Sequence, residues 1–508
     1  MTPPIPDPPR PPAAPLAGPA LLAAVALALA ACGPARGGAD GVPAWPDTLP
    51  GAASFGAPRG FTPARAILHL HSFWSHDACD GEPFDPETGE PDLECHARLR
   101  AALCAANVDV AYVTDHDRHV WRARSMEEAL YHRPGDVLVP AEAGGPPVAN
   151  RIACAGDGGG VLLRAGSEAL LMTIGLDSLP AVADSIARRD WFRRIGPDAP
   201  ERFRAHGAVV LFPHPEDASL AEIAALGPDL IEVYNPHANF APKHRESQGL
   251  SRLGAIFGLL PFYTRTTPAH PDLALLAIFH ANRSAIDRWD ALLAAGRRVY
   301  GYGASDAHEN ALPWPMSDGL RGDAYARMIP WVTNALLVPD GDEAARVAAL
   351  EDAVRAGRFY VTIEAWGTPS GFDFHLETPD GGVEMGGAAS FAPGQRLVVE
   401  PPRVVLGGFA VDTVAALEPP EVRLRLIRIA PGGGREIVAE GPRPMVHPVD
   451  APGAYRVEVA VVPRHLAPYL GGHAGKYLRE VVWIYSNPIF VTAPPVDEGG
   501  PTDGARAR

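Results

Sequence analysis

Ala66-Ile67-Leu68-His69-Leu70-His71-Ser72 decides how the rest of this 508-residue chain reads. Three apolar residues lead into two histidines one residue apart. In extended backbone the side chains of residues i and i+2 leave on the same side. His69 and His71 can therefore aim two imidazoles at one point, and neutral imidazole is the commonest metal-binding side chain. A lone His-x-His is thin evidence. It gains weight because five later apolar runs also end in a ligand-type residue.

The run from Val108 to Val113 ends in Thr114-Asp115-His116-Asp117, and Val137-Leu138-Val139 ends in Pro140-Ala141-Glu142. Ala208-Val209-Val210-Leu211-Phe212 runs into Pro213-His214-Pro215, and Leu230-Ile231-Glu232-Val233-Tyr234 into Asn235-Pro236-His237. Arg298-Val299-Tyr300-Gly301-Tyr302 precedes Gly303-Ala304-Ser305-Asp306-Ala307-His308. A further apolar run, 169–174, carries no ligand candidate. Helical periodicity fills 93–106, 220–226 and 286–295, the last two stopped at Gly227-Pro228 and Gly296. Residues 238–278, with Arg265 and His270, read as a substrate-facing insertion. Then come a strand at 334–338, a helix at 343–355 and a closing strand at 359–362. The repeated unit of strand, ligand-bearing loop and helix is α/β logic with a largely parallel sheet. In barrels of parallel strands the C-terminal ends share one mouth.

From about Pro369 the texture changes. Helical periodicity nearly vanishes, and short alternating segments such as Val422-Arg423-Leu424-Arg425-Leu426 and Tyr455-Arg456-Val457-Glu458-Val459 recur between Pro-Gly turns. This reads as an antiparallel all-β sandwich over 367–493, closed by strands on either side of Asn487-Pro488, with a disordered tail at 494–508. The whole is expected to be an α/β domain at 64–366 followed by that β domain. A net charge of −16 repels long polyanions, and no basic patch is visible, so nucleic acid is not an expected partner.

At the N-terminus Arg10 precedes an apolar run, 16–31, that is too short for a comfortable membrane span and fits a signal-peptide core. It ends Leu29-Ala30-Ala31-Cys32. That ending resembles the bacterial lipoprotein signal, which implies cleavage after residue 31, lipidation of Cys32 and a membrane anchor. An ordinary secretory signal is the other reading, and both put the mature protein outside the cytoplasm. Residues 32–63, rich in Gly, Pro and Ala, read as a flexible tether. Cys79, Cys95, Cys104 and Cys154 remain, and an oxidising compartment permits disulfides. Of three connectivities, Cys79–Cys95 with Cys104–Cys154 is preferred, and no Cys-x-x-Cys spacing suggests a zinc site.

Nitrogen and carboxylate donors together suit zinc, manganese or iron. The candidates exceed what one ion needs, so two or three ions sharing carboxylates are expected, with Glu142 and Asp306 as bridges. Such a cluster acidifies a bound water and clamps attacking and leaving oxygens, which makes hydrolysis the expected reaction and phosphate esters a good match.

His69-Leu70-His71, Thr114-Asp115-His116-Asp117, Glu142, His214 and Ser305-Asp306-Ala307-His308 resemble, in order and rough spacing, the successive motifs of the polymerase-and-histidinol-phosphatase (PHP) superfamily. The likeness spans about 65–362. It implies a distorted barrel of seven strands binding up to three metals, with His69, His71, Asp77, His116, Glu142, His214, Asp306 and His308 as ligands. Asn235 and His237 are alternatives for one further ligand position, and Asp115 is expected to orient His116 from behind. The roles implied are a hydroxide held by Asp306 and Glu142, with His308 and His214 completing the metal shells. The stretches around Glu232 and Asn487 resemble extracytoplasmic members with a C-terminal β domain, including a branch similar to carbaryl hydrolases. The expected activity is therefore hydrolysis of a small phosphate ester. A carboxylic ester, amide or carbamate is the alternative substrate, and a non-catalytic, metal-stabilised binding lipoprotein the alternative role. Oligomeric state is not legible.

Overall fold

Strand β1 (Phe61–Ile67) leads directly into the His69-Leu70-His71 segment and is buried along all but its first two residues. The computed structural model describes residues 41–494 except 82–83, 85–90, 117–118, 143, 156–158, 248–249, 265–268 and 342–344. The stretch read as a signal peptide, the expected lipidation position Cys32, Asp117, Arg265 and the tail from 495 lie outside the described residues.

The strands that follow are β2 (Val110–Val113), β3 (Val137–Pro140), β4 (Pro147–Ile152), β5 (Val161–Ser167), β6 (Met172–Ile174), β7 (Val209–Phe212), β8 (Leu230–Tyr234) and β9 (Tyr300–Gly303). Strands β1, β2 and β5 are parallel neighbours, β6 is antiparallel to both β5 and β7, and β7, β8 and β9 are parallel again. Strands β2, β7 and β8 are buried along their whole length, which is why β2 and β7 read as unbroken apolar runs and β8 as one broken only by Glu232, rather than as alternating segments. Helices pack outside them. The helix Leu93–Ala105 is capped by Asp92, whose side chain accepts from the Cys95 amide. The helix Arg283–Ala294 buries Ile286, Trp289, Leu292 and Leu293.

Two expectations need correction. Val137-Leu138-Val139 is not a parallel strand with a ligand at its end. Strand β3 pairs antiparallel with β4, and Glu142 sits in the hairpin turn between them, exposed, its carbonyl accepting from the Gly145 amide at 2.9 Å. The tether also fails where it is described. Residues 41–63 pack on the body of the protein: Phe55 is buried, Trp45 stacks on His270 at 4.9 Å, and the Trp45 indole donates to Asp272.

Strands β10 (Thr333–Pro339) and β11 (Phe359–Thr362) continue the sheet on the far side of β1. The remaining strands are β12 (Thr368–Ser370), β13 (Asp373–Thr378), β14 (Gly381–Glu384), β15 (Ala388–Ser390), β16 (Arg396–Glu400), β17 (Arg403–Leu406), β18 (Phe409–Ala410), β19 (Glu421–Ile429), β20 (Arg435–Gly441), β21 (Met445–Pro448), β22 (Gly453–Val462), β23 (Val481–Ser486) and β24 (Ile489–Thr492). Strand β11 pairs antiparallel with β23, so one mixed sheet runs across residue 366 into β22, β19 and β20. Two antiparallel sheets stand apart from it, β12-β17-β18 and β14-β13-β16-β21. The architecture is thus mixed α/β with a large mixed sheet and separate antiparallel sheets.

The edge of β9 away from β8 is served by side chains instead of a strand. The Gly303 amide donates to Asn334 Oδ1 at 2.9 Å, and Asn334 Nδ2 donates back to the Gly303 carbonyl at 2.8 Å. The Gly301 amide donates to Asn487 Oδ1 at 2.7 Å, while Asn487 Nδ2 reaches the Phe359 carbonyl. Both asparagines are fully buried, so each backbone group they serve would otherwise be a buried orphan. A Cβ at Gly303 would lie 2.4 Å from Val361 Cγ1, so only glycine permits this approach.

One buried ion pair ties the two halves together, and another braces the first half. Arg456 on β22 donates from Nε and Nη2 to the two Asp290 oxygens, both at 2.9 Å, and from Nη1 to Glu458 at 2.8 Å. Arg65 on β1 makes a similar fork to Glu364 at 2.7 and 2.9 Å. The disulfides are Cys79–Cys95 and Cys104–Cys154, the connectivity preferred from sequence.

Candidate metal centre

Three loops interlock where the strands end. The Thr114 amide donates to the Leu70 carbonyl, His71 to Ala307, and Asp306 to His69, while Ser305 Oγ donates to the His69 carbonyl. This stitching brings His69 Nε2 and His71 Nε2 to 3.1 Å, as the same-side argument requires.

Two groups of four donors result. His69, Glu168, His214 and Asp306 form one, and His71, Asp77, His116 and His308 the other; within each, the donor atoms lie within 4.8 Å of one another. The fold therefore gathers seven of the residues singled out from sequence: His69, His71, Asp77, His116, His214, Asp306 and His308. Glu142 is absent from both groups. The glutamate at the centre is Glu168, which the sequence reading passed over. Its Oε2 lies 2.9 Å from His69 Nε2, 3.0 Å from His71 Nε2 and 3.6 Å from His116 Nε2, and its Oε1 lies 3.2 Å from His214 Nε2. One carboxylate thus spans both groups. Asp306 Oδ1 stands 3.3 Å from both His69 and His71 Nε2.

Glu168 arrives by pairing. Strands β2 and β5 are parallel neighbours, and a bridge between His116 and Glu168 carries that register past the strand ends. Gly166 permits the crowding, since a Cβ there would meet the Thr173 carbonyl at 2.5 Å. The signal was in the sequence: Val161-Leu162-Leu163-Arg164-Ala165-Gly166-Ser167 is an apolar run with one charged interruption, and it ends in Glu168.

A second layer fixes the first. Glu232 Oε2 accepts a hydrogen bond from His69 Nδ1 at 2.9 Å, leaving Nε2 for the centre; metal-binding histidines are usually held this way. Glu232 is fully buried inside a strand and was not assigned a role from sequence. Asn235 Nδ2 donates to Glu232 Oε1 at 3.0 Å and to Asp306 Oδ2 at 3.1 Å, so it positions Asp306. His237 stays at the rim: its side chain is 54% exposed and its Nδ1 lies 4.0 Å from Asp306 Oδ2. Asp115 does not orient His116. Its carboxylate accepts from the Ser72 amide and hydroxyl, both at 2.6 Å, and from the Tyr131 hydroxyl, which pins the loop carrying His71. His214 and Asp306 both hold left-handed backbone, φ 45° and 47°. Such strain is found where the surrounding structure dictates a side chain's aim.

The electrostatics suit cations. Burial opposes the charge of Glu168 and Asp306, yet His69 and the other histidines hold both carboxyls well below the usual range. Burial would likewise lower His71 and His214, but the facing carboxylates raise them to about 9 and about 10. Burial and the neighbouring His71 push His308 down to about 4, leaving it neutral. A cation must displace the protons of His71 and His214, so uptake strengthens as pH rises. Two buried atoms, Asp306 Oδ1 and His308 Nε2, have no hydrogen-bond partner among the described residues. His308 Nδ1 is committed to the Asp306 carbonyl at 2.8 Å, so Nε2 offers a lone pair 3.4 Å from Asp77 Oδ2. Orphaned nitrogen and carboxylate donors of this kind fit divalent metal ions. The third possible cluster, Cys79, Asp92 and Cys95, is spoken for by the disulfide.

No family model matches this chain, and no curated protein matches it. Among solved structures, a two-domain protein from Bacteroides vulgatus containing a predicted PHP-like metal-dependent phosphoesterase is similar at 12% identity and a TM-score of 0.34. The match covers 86% of this chain and 97% of that one. A likeness of that size carries no argument about what this chain does.

Proposed function

We propose that the chain is a metal-dependent hydrolase of PHP type that cleaves small phosphate esters outside the cytoplasm. The observation that carries this is the Glu168 carboxylate shared between two four-donor groups. In this reading β1, β2 and β5 to β9 form a distorted seven-stranded barrel, and the sheets after residue 366 form a sandwich on its side. His69, Glu168, His214 and Asp306 would hold one ion, and His71, Asp77, His116 and His308 another. Bound there, divalent ions supply Lewis acidity towards a phosphoryl oxygen and activate a water for attack. Glu232 and Asn235 keep His69 and Asp306 aimed. His237, at the mouth, is the histidine placed to give a proton to a leaving oxygen.

Elemental analysis of purified protein is expected to find two or three zinc, manganese or iron ions per chain. In a chromogenic panel with added manganese or zinc, phosphate esters are expected to turn over faster than carboxylic esters and carbamates. Faster carbamate cleavage would keep the centre and change the substrate. No turnover on any ester, with properties indifferent to His69→Ala plus Asp306→Ala, would leave a binding protein.

The extracytoplasmic address and the lipid on Cys32 belong to the same proposal. They rest on the leader sequence and are supported by the two disulfides. Fatty-acid label that persists on a Cys32→Ala variant would remove the anchor.

A further inference from the structure

The two donor groups are backed by different scaffolds. Behind the first stands a carboxylate: Glu232 accepts from His69 Nδ1, and Asn235 steadies Asp306. Behind the second stands one hydroxyl. Ser75 is fully buried, and its Oγ meets three of the four residues of that group. It donates to Asp77 Oδ1 at 2.7 Å, accepts from the His116 amide at 3.4 Å, and lies 3.3 Å from His71 Nδ1. A serine hydroxyl has one proton and two lone pairs. The proton goes to Asp77, so His71 Nδ1 is the donor to Ser75, which leaves the His71 Nε2 lone pair for the centre. The fourth residue, His308, is fixed through its backbone. The buried Tyr325 hydroxyl lies 3.0 Å from the His71 carbonyl and 3.4 Å from the His308 carbonyl. The Cys79 amide donates to the same His308 carbonyl at 2.9 Å.

The groups also differ in charge and cover. The first has two carboxylates, Glu168 and Asp306, and only His214 among its four residues is partly exposed. The second has one of its own, Asp77, and Asp77, His116 and His308 are all partly exposed. Cation affinity rises with the number of charged donors and the rigidity of the site. A carboxylate behind a histidine also makes the ring a stronger donor, and a neutral hydroxyl does this less. Resting on the metal-centre reading above, we propose that the two sites are unequal. The His69 group holds a permanent ion. The His71 group holds an exchangeable one, with Ser75 as the positioning residue that sets its affinity and Tyr325 in support. A reaction that needs both ions then follows the free divalent metal around the protein, through the second site alone.

The test removes zinc from the fully loaded, full-length protein with a chromogenic chelator at graded concentrations, and elemental analysis counts what remains. Wild type is expected to release its ions in two phases, separated by about tenfold or more in chelator concentration. Ser75→Ala is expected to weaken the loosely held ion by about tenfold or more, the scale on which an outer partner acts, and the tightly held one by less than about twofold. Tyr325→Phe is expected to move the same phase in the same direction by a smaller factor, and decides the matter if Ser75→Ala does not fold. Glu232→Gln is expected to move the tight phase instead. A merely structural role for Ser75 or Tyr325 shifts both phases together. Release in one phase from wild type, or a shift shared equally by both phases in the Ser75 and Tyr325 variants, overturns the proposal. Initial rates on one phosphate ester separate this from the hydrolase reading. Two-phase release with this assignment and no turnover at any zinc concentration keeps the unequal sites and sinks the hydrolase. Turnover with single-phase release does the reverse.

Discussion

Glu168→Gln is expected to leave a folded protein that holds its metals more than ~100-fold more weakly, a larger loss than removal of an outer partner causes. Turnover of phosphate esters should fall on the order of 10³-fold, the scale on which a single charge-stabilising group acts. The substitution keeps shape and volume and removes one charge. That charge faces His69, His71, His116 and His214 within 3.6 Å, and Asp306, 3.3 Å from His69 and His71, covers only part of that set. Glu142→Gln, at an exposed hairpin turn, is expected to change both quantities by less than about twofold, since surface changes away from special features do little. Competition with a chromogenic chelator and initial rates on one phosphate ester read both. The opposite ranking, with Glu142 critical and Glu168 dispensable, would mean that the centre is assembled differently from the geometry above.

The second large effect concerns the joint between the halves. Arg456→Met is expected to destabilise the protein by about 3–5 kcal/mol in equilibrium urea unfolding, the range for breaking a buried pair from one side. Arg456 is fully buried against Asp290 and Glu458, with its guanidinium 5.0 Å from the Trp289 ring. Glu458 keeps Arg435 at 2.9 Å as a partner, whereas Asp290 has no second cation among the described residues, so the cost falls mainly there. The double change Arg456→Met/Asp290→Leu should recover most of the loss, because it leaves no buried charge unpaired: Glu458 keeps Arg435. A single variant as stable as wild type would show that the two halves do not depend on this contact.

Much of the centre was legible because its loops follow short, wholly buried strands. Strands β2 and β7 stand out as unbroken apolar runs, and the polar residues that end each run are conspicuous. Strand β5 was missed for a physical reason. Arg164 interrupts it, and Arg164 is buried only because Glu351 and Asp177 meet it from distant parts of the chain. No local pattern announces such partners. Strand β3 misled in the opposite way, since Val137-Leu138-Val139 looks the same whether its neighbour is parallel or is the next strand of a hairpin. Glu232 could have been found: a glutamate facing inward from Leu230-Ile231-Glu232-Val233-Tyr234 must have a buried partner, and that partner is His69. The packing of residues 41–63 was hidden by composition, since their Pro and Gly content resembles that of a free linker, while Trp45 and Phe55 do the anchoring.

The asparagines on the edge of β9 set the order in which the protein can mature. The loop bearing Asp306 and His308 springs from β9, and one of the two hydrogen-bonding clamps on that strand is residue 487. A nascent chain lacking its final portion therefore has a loose β9 and an unfinished donor set. If the chain crosses a membrane unfolded, the choice of ion is made on the far side, from whatever metals that compartment supplies, and the cytosolic metal pool has no say in it.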